Sequence, residues 1–233
     1  MSTCEIGAAR PDIQRVAEII TWQRKRQDAW RAVPAEGADI AFNGLSFYVL
    51  SGVFWPFEDS LPLIENMRIP YGATVLDVGS GAGTIALHAA RKGAGHVSAI
   101  DRHPDAVRAT QRNSERLAKP GQVEAFVSDV FDAVAGQRYD VITANLPWLD
   151  RPGRDDVEAA QWDTGYATNR KFFAGLRDHL NPGGRAYYAQ GNYGAVTKAL
   201  ELMQEMGLQH RIIGKRRASA APDLEFYAFE LLA

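Results

Sequence analysis

Three glycines at alternate positions, Gly79, Gly81 and Gly83, are the residues of this sequence best suited to holding a ligand. They follow an apolar run at 74–78 that predicts a β-strand, and a helical pattern at 83–92 begins at the last of them. Glycine lets the backbone adopt positive φ and brings the main chain close to a ligand. The free N–H groups and positive dipole end of the following helix favour polar groups. The loop therefore predicts a site for a nucleotide-like ligand at the carboxyl ends of the strands.

The spacing of these glycines differs from that of dinucleotide-binding proteins. Their fingerprint is G-x-G-x-x-G/A, whereas here Thr84 occupies the last position and the third glycine comes one residue earlier. This spacing disfavours a nicotinamide dehydrogenase. Residues 75–84 resemble the first motif of class I S-adenosylmethionine-dependent methyltransferases, and the resemblance extends from about residue 72 to the C-terminus. It implies S-adenosylmethionine as the cofactor. The cofactor-binding residues that it implies in this loop are Asp77, Gly79, Ser80, Gly81 and Gly83.

Two carboxylates stand at the ends of the next two predicted strands. Asp101 closes the strand at 96–101, where a carboxylate can accept both hydroxyls of a ribose. Asp129 follows the strand at 123–128, and the resemblance implies that it accepts the adenine amino group. A surface or capping role is the alternative for each of them. The residues expected beside these carboxylates in the cofactor site are Arg102, Val130 and Phe131.

The catalytic candidates follow the fourth predicted strand, 139–145, in the run Asn145, Leu146, Pro147 and Trp148. This run resembles the N/D-P-P-Y/F/W element of methyltransferases that modify amide, amidine or exocyclic amino nitrogens, with Leu146 at the position of the first proline. The resemblance implies that the Asn145 side-chain oxygen and the next main-chain carbonyl accept the two N–H groups of the target nitrogen. Orientation of the nitrogen lone pair toward the sulfonium methyl group then accelerates methyl transfer, and no strong base is needed. Pro147 biases the preceding residue toward an extended backbone. We expect Trp148 to stack on a planar substrate group.

A second segment, residues 52–60, resembles the G-V-F-x-P-x-x-E-T/D sequence that covers the cofactor in release-factor glutamine methyltransferases and their relatives. We expect Trp55 of this segment to contact the sulfonium through a cation–π interaction. We expect the same contact from Trp148 of the Asn145 run. No separate recognition domain of the release-factor type is evident before Phe47. This favours a small or peptide-like substrate over a large protein partner.

Strand patterns alternate with helical patterns from residue 71 onward, which predicts an α/β fold. The predicted strands are 74–78, 96–101, 123–128, 139–145, 185–190, 209–216 and 224–232, and the predicted helices are 11–30, 83–92, 104–117, 168–180 and 194–206. A turn is predicted at 181–184. The resemblance implies a Rossmann-like, seven-stranded methyltransferase sheet with helices on both faces and an antiparallel last strand. We expect 1–70 to form an N-terminal helical cap over a catalytic core at 71–233.

The composition is that of an ordinary globular protein, with 46% hydrophobic residues, 23% charged residues and a net charge of -2. This charge gives no general attraction to nucleic acids, so we expect nucleic-acid binding only if a local basic patch such as 215–217 supports it. Cys4 is the single cysteine and the five histidines lack metal-binding spacing, so we expect no metal. Without a secretory signal or an apolar run of about 18 residues, the sequence predicts a cytoplasmic protein without membrane contact.

The sequence leaves three functions open. The first is methyl transfer from S-adenosylmethionine to a nitrogen of a small or peptide-like substrate. The second is cyclisation of the aminobutyrate arm of S-adenosylmethionine to azetidine-2-carboxylate with release of methylthioadenosine, in which Asn145 would orient the cofactor's own amine. The third is binding of S-adenosylmethionine without catalysis, against which the intact Asn145 argues.

Overall fold

The computed structural model describes residues 13–192, 196–219 and 224–232. Cys4, the first two residues of the predicted helix at 11–30 and the first two of the helix at 194–206 lie outside these ranges. The N-terminal segment contains a helix α1 (Ile13–Arg31), an antiparallel hairpin of strands β1 (Ala38–Phe42) and β2 (Leu45–Val49), and a short helix α2 (Leu61–Asn66).

Seven strands form the central sheet, and all seven were predicted. They are β3 (Thr74–Val78), β4 (His96–Asp101), β5 (Val123–Val127), β6 (Tyr139–Ala144), β7 (Leu180–Gly191), β8 (Gln209–Arg217) and β9 (Glu225–Leu232). Their order across the sheet is β5-β4-β3-β6-β7-β9-β8. Strands β3 to β7 are parallel, while β9 is antiparallel to both of its neighbours. The strand order reverses at β3, and this reversal opens a crevice at the carboxyl ends of β3, β4 and β6.

Helices cover both faces of this sheet. They are α3 (Thr84–Arg91) and α4 (Pro104–Leu117) on one face and α6 (Ala167–His179) and α7 (Val196–Glu205) on the other, while the short helix α5 (Asp156–Ala159) lies in the segment between β6 and α6. Successive residues of a strand point to opposite faces. Leu76 therefore packs in a core with Phe172 of α6 and Leu202 of α7, whereas Val75 packs with Ile85 of α3 on the other face. The Rossmann-like fold with two covered faces is confirmed.

The hairpin β1–β2 is a departure from the helical cap expected for residues 1–70. Its turn is formed by Asn43 and Gly44, with φ of 46° and 76°, and Asn-Gly is the pair that such two-residue turns favour. Asn113 of α4 anchors the hairpin through both main-chain groups of Tyr48, at 2.7 and 2.8 Å. The N-terminal segment is thus partly a β-structure packed on the core.

Strand β7 begins at Leu180, before the turn predicted at 181–184. The pairing with β6 shifts register there: Tyr139 lies opposite Leu180 and Val141 opposite Arg185. The residues that suggested a turn therefore form a bulge within one strand. A bulge accommodates Pro182 because the strand leaves the regular hydrogen-bond ladder at that point.

Candidate active site

A cavity of about 520 Å³ lies in the crevice at the carboxyl ends of the parallel strands. The residues of the predicted site that line it are Gly79, Ser80, Gly81, Asp101, Arg102, Asp129, Val130, Asn145, Leu146 and Pro147. They come from the ends of four neighbouring strands. The structure thus brings the glycine loop, both strand-end carboxylates and the Asn145 segment to one chamber.

The glycine loop presents its main chain to this cavity. Gly79, Gly81 and Gly83 have φ of 74°, 56° and 81°, which only glycine adopts without strain. A Cβ at Gly81 would lie 3.4 Å from the carbonyl oxygen of Phe54. Gly83 does not line the cavity, because it caps helix α3 and faces Thr110. The loop geometry therefore suits the close approach of a ligand to the backbone at Gly79 and Gly81.

Asp101 ties this loop to the end of β4. One carboxylate oxygen accepts the N–H of Gly81 at 2.9 Å and the other accepts the N–H of His103 at 2.9 Å. Each oxygen can accept a further hydrogen bond. Burial raises the pKa of Asp101 above its ordinary value. Beyond it, Arg102 forms an ion pair with Asp156 at 3.4 Å, between the ends of β4 and the segment that follows β6.

Asp129 lines the cavity and also forms an ion pair with Lys171 of α6 at 2.8 Å. Phe131, expected beside it in the cofactor site, does not line the cavity. Its ring stacks on His179 with 4.1 Å between centroids, within the core on the α6 side. The chain turns between the two residues at Val130, which has a positive φ of 53° and does face the cavity.

Asp77 lies beneath the glycine loop and does not line the cavity. Its carboxylate accepts the Thr143 hydroxyl at 2.7 Å and the N–H of Ala86 at 3.0 Å. Burial raises the pKa of Asp77 to about 7. These contacts join β3, β6 and α3. Asp77 therefore stabilises the glycine loop from beneath and is not placed to contact a ligand.

Trp55 also lies away from the cavity. It packs beside a small apolar cluster that includes Val33, Val49 and Ala82. The cation–π contact that we expected from Trp55 is therefore not supported by its position. From the same segment, it is Gly52, Val53, Phe54 and Ser60 that line the cavity.

Asn145 lies where the main cavity adjoins a second, smaller cavity of about 20 Å³. Its Nδ2 donates to Asp59 Oδ2 at 3.2 Å and to the Ser60 hydroxyl at 3.1 Å. Its Oδ1 accepts the indole N–H of Trp148 at 3.2 Å. Since an indole N–H can only donate, these partners determine which end of the amide is oxygen. Asp59 and Ser60 belong to the segment at 52–60, and their role was not predicted.

Trp148 lines the smaller cavity and is buried, with its ring 5.7 Å from that of Phe226. It is packed in an aromatic cluster, so it does not offer an open face on which a substrate could stack. Its indole N–H donates to Asn145 Oδ1 instead. The helix α1 closes the smaller cavity from outside with Trp22, Gln23 and Arg26.

The segment between β6 and α6 forms a further wall of the main cavity that the sequence did not indicate. Its lining residues are Gly153, Arg154, Asp155, Asp156, Ala159, Ala160, Trp162, Asp163 and Thr164. Asp163 is buried and accepts the side-chain N–H of Asn169, which also donates to the carbonyl of Pro147 at 2.8 Å. No sequence motif marks these residues, because their role depends on the way the segment folds back over the crevice.

The described residues contain no group of three or more histidine, cysteine, aspartate or glutamate side chains able to hold a metal ion. Nor is any helix in those ranges long and apolar enough to span a bilayer.

Residues 58–207 match the family described as methyltransferase small domain. The chain is 30% identical over 218 residues to a release factor glutamine methyltransferase of Shewanella oneidensis, covering 84% of this chain and 75% of the relative. It is 31% identical over 160 residues to the enzyme of the same name from Geobacter sulfurreducens, covering 61% of this chain and 55% of that one. A T. thermophilus 16S rRNA methyltransferase solved with AdoMet and guanosine has the same fold, with a TM-score of 0.61 and 22% identity over 83% of this chain and 49% of that one. The chain thus spans about half the length of the last two proteins.

The residues present fit S-adenosylmethionine. The glycine loop leaves the space that a Cβ would fill, the Asp101 carboxylate keeps acceptor capacity, and the cavity has the volume for a nucleoside with an amino-acid arm. S-adenosylmethionine is the cofactor of this protein. Because the family model matches residues 58–207, more than half of the sequence, the chain belongs to the methyltransferase small domain family of S-adenosylmethionine-dependent methyltransferases.

Proposed function

We propose that this enzyme methylates a nitrogen atom of a small or peptide-like acceptor. The observation that carries the proposal is the orientation of Asn145, whose Oδ1 is held on one side by Trp148 and whose Nδ2 is held by Asp59 and Ser60. A carboxamide oxygen accepts two hydrogen bonds. One position at Oδ1 is thus left for an N–H of the acceptor. The glutamine named as the substrate of the two relatives has a nitrogen of the same kind.

The cofactor would be held by the residues that line the main cavity. In this proposal the main chain at Gly79 and Gly81 receives its amino-acid arm, Asp101 accepts the ribose hydroxyls and Asp129 lies near the adenine amino group. When bound, S-adenosylmethionine supplies a sulfonium methyl carbon: its bond to sulfur breaks with the electrons left on sulfur, the nitrogen lone pair forms the new C–N bond, and the nitrogen then releases one proton to water.

The enzyme's own contribution is to orient the nitrogen. Asn145 Oδ1 and the Leu146 carbonyl would accept its two N–H groups and so direct the lone pair toward the main cavity. Such orientation lowers the entropy cost of the reaction without a strong base. The smaller cavity beside Asn145 has room for about one water molecule. We therefore infer that the group methylated is a compact terminal one, such as a primary amide or amine.

The experiment compares Asn145→Ala with the wild type. S-adenosylhomocysteine should bind nearly normally, whereas turnover should fall at least about 100-fold, roughly 2.7 kcal/mol, because Asn145 acts mainly in the transition state. Binding is measured by calorimetry, and products are identified by mass spectrometry with S-adenosylmethionine alone and with a panel of amides, amines and glutamine peptides. Asn66→Ala, on α2 and away from both cavities, is the matched control.

Each product has a distinct meaning. S-adenosylhomocysteine together with a methylated amide or amine supports the proposal. Methylthioadenosine formed without an acceptor would establish the cyclase instead, and binding without turnover across the panel would favour the non-catalytic alternative. Full activity in Asn145→Ala would give Asn145 a structural role and refute the proposed site.

A further inference from the structure

We propose that Asp59 and Trp148 are positioning residues that hold the Asn145 amide from opposite sides with its oxygen toward the acceptor nitrogen, and that the ionised form of Asp59 strengthens this arrangement. This inference rests on the proposed function, since it concerns how Asn145 is oriented.

The hydrogen bonds around Asn145 permit one orientation of the amide. A carboxylate only accepts and an indole N–H only donates. A flipped amide would place its oxygen against Asp59 and its NH₂ group against the Trp148 N–H, so both contacts would become unfavourable. The Ser60 hydroxyl completes the arrangement, because it accepts from Asn145 Nδ2 at 3.1 Å and donates to Asp59 Oδ1 at 3.1 Å.

The charge on Asp59 matters beyond geometry. A hydrogen bond to an ionised group is roughly twice as strong as one between neutral groups. Such bonds polarise one another along a chain in a buried site. The carboxylate next to Nδ2 therefore makes Oδ1 a stronger acceptor for the incoming N–H. Protonation of Asp59 removes this effect and adds an O–H donor that competes with the Asn145 NH₂ group.

The surroundings of Asp59 place this change near neutral pH. Burial raises the pKa of Asp59 to about 6, although the positive charge of Arg26 on α1 and the hydrogen bonds from Asn145 and Ser60 act in the opposite direction. The neighbouring carboxylate, Glu58, is turned outward and accepts the N–H of Ser219 at 3.0 Å. Methyl transfer should therefore decline as pH falls through about 6.

Trp148 contributes a group that phenylalanine cannot supply. The family element allows tyrosine, phenylalanine or tryptophan at the corresponding position, and here the indole N–H of Trp148 reaches Asn145 Oδ1 at 3.2 Å. Its ring is already fixed by packing on Phe226. The replacement Trp148→Phe thus removes the donor while keeping most of the ring packing.

The test uses the indole ¹⁵N–¹H resonance of Trp148, assigned by its loss in Trp148→Phe. In the wild type this resonance should titrate with a midpoint near pH 6, and in Asp59→Asn the titration should be absent. Asp39→Asn, an exposed carboxylate paired with Arg116, is the matched control and should leave the titration unchanged. This measurement needs no acceptor, so it is independent of the proposed reaction.

The kinetic arm uses a glutamine tripeptide, or the acceptor found in the panel above. Asp59→Asn and Trp148→Phe should each lower kcat about 10-fold and leave the affinity for S-adenosylhomocysteine unchanged. Both side chains orient the acceptor nitrogen through Asn145 and do not hold the cofactor. Asp59→Ala should lose more than Asp59→Asn, which keeps a neutral acceptor atom, and the acid limb near pH 6 should vanish in both.

Two results would overturn the inference. One is a Trp148 resonance that does not titrate in the wild type. The other is a Trp148→Phe enzyme with unchanged kcat and unchanged pH dependence. If no acceptor is methylated but the resonance titrates as expected, the arrangement around Asn145 stands and the proposed function fails.

Discussion

At the residue scale, the role of a side chain here is decided by its partners more than by its type. Asp77 and Asp101 both adjoin the glycine loop, and burial raises the pKa of each. Asp101 retains acceptor capacity at the cavity, whereas Asp77 is enclosed by Thr143 and Ala86. The same residue type thus forms part of the chamber in one case and supports its floor in the other.

Gly81 is the residue at which this loop can be tested most directly. In Gly81→Val the backbone at position 81 must keep its φ of 56°, which costs a residue with a Cβ about 1–2 kcal/mol. The new side chain would also point toward the carbonyl of Phe54. We expect binding of S-adenosylhomocysteine to be lost in a folded protein. Gly121→Val is the control, since its φ is 71° and no atom lies near its Cβ position. Equal calorimetric affinity in wild type and Gly81→Val would remove the loop from the site.

At the element scale, helix α1 is bound to the segment that follows β6, and together they wall both cavities. Gln27 donates to Gln161 at 3.0 Å, Trp162 donates to Gln23 at 2.8 Å, and Arg31 pairs with Asp155 at 2.8 Å. Two of these contacts are buried hydrogen bonds. The N-terminal helix is therefore part of the chamber's structure, and its detachment would open the segment that carries Trp162.

The variant Gln27→Ala tests this coupling. It leaves the buried Gln161 without its partner, which costs about 1–3 kcal/mol. Hydrogen exchange should show faster opening of residues 149–166 together with α1, and S-adenosylhomocysteine should bind more weakly. Thr21→Ala on the exposed side of the same helix is the control, because its hydroxyl contacts only the helix backbone at Ala17. If hydrogen exchange became faster in α1 alone, the helix and the segment at 149–166 would open independently.

At the scale of the whole molecule, the sheet separates two apolar cores, and Asp77 is buried within it. The folded protein holds the Asp77 proton up to a pKa of about 7, whereas the unfolded chain loses it near 3.8. Between those values the unfolded state binds fewer protons, so the free energy of unfolding falls as pH rises. The buried carboxylate thus costs stability at neutral pH.

Asp77→Asn should abolish this pH dependence. Its amide oxygen can accept the Ala86 N–H, and its NH₂ group can donate to the Thr143 hydroxyl, which lies 3.4 Å from the Leu76 carbonyl. A rise in pKa from 3.8 to about 7 corresponds to roughly 4 kcal/mol at about 1.36 kcal/mol per pKa unit. Urea unfolding at a series of pH values should show the free energy of unfolding of Asp77→Asn rising relative to that of the wild type by this amount between about pH 4 and 7. Asp39→Asn should follow the wild-type curve. A constant difference between wild type and Asp77→Asn would contradict the raised pKa.

The chain's local patterns determined the order and type of most elements. The apolar runs at Thr74–Val78 and Tyr139–Ala144 predict buried strands, since such runs need burial on both faces. Gly79 and Gly81 predict a backbone of positive φ next to a ligand, because that conformation depends on the residue itself. The hairpin at Asn43 was also within reach of the sequence, since Asn-Gly is a local signal. The resemblance of the motifs added the cofactor, the seven-stranded sheet and its antiparallel last strand.

Tertiary structure decided which side chains face the cavity. Trp55 and Phe131 adjoin residues that do, yet both rings turn into apolar clusters whose other members come from distant parts of the chain. Asp59 reaches Asn145 only because the segment before α2 packs on the end of β6. A side chain's direction and its hydrogen-bond partners follow from the packing of elements far apart in sequence, so local patterns do not contain them. The sequence by itself determined the chamber's scaffold, and long-range packing decided its walls and the orientation of Asn145.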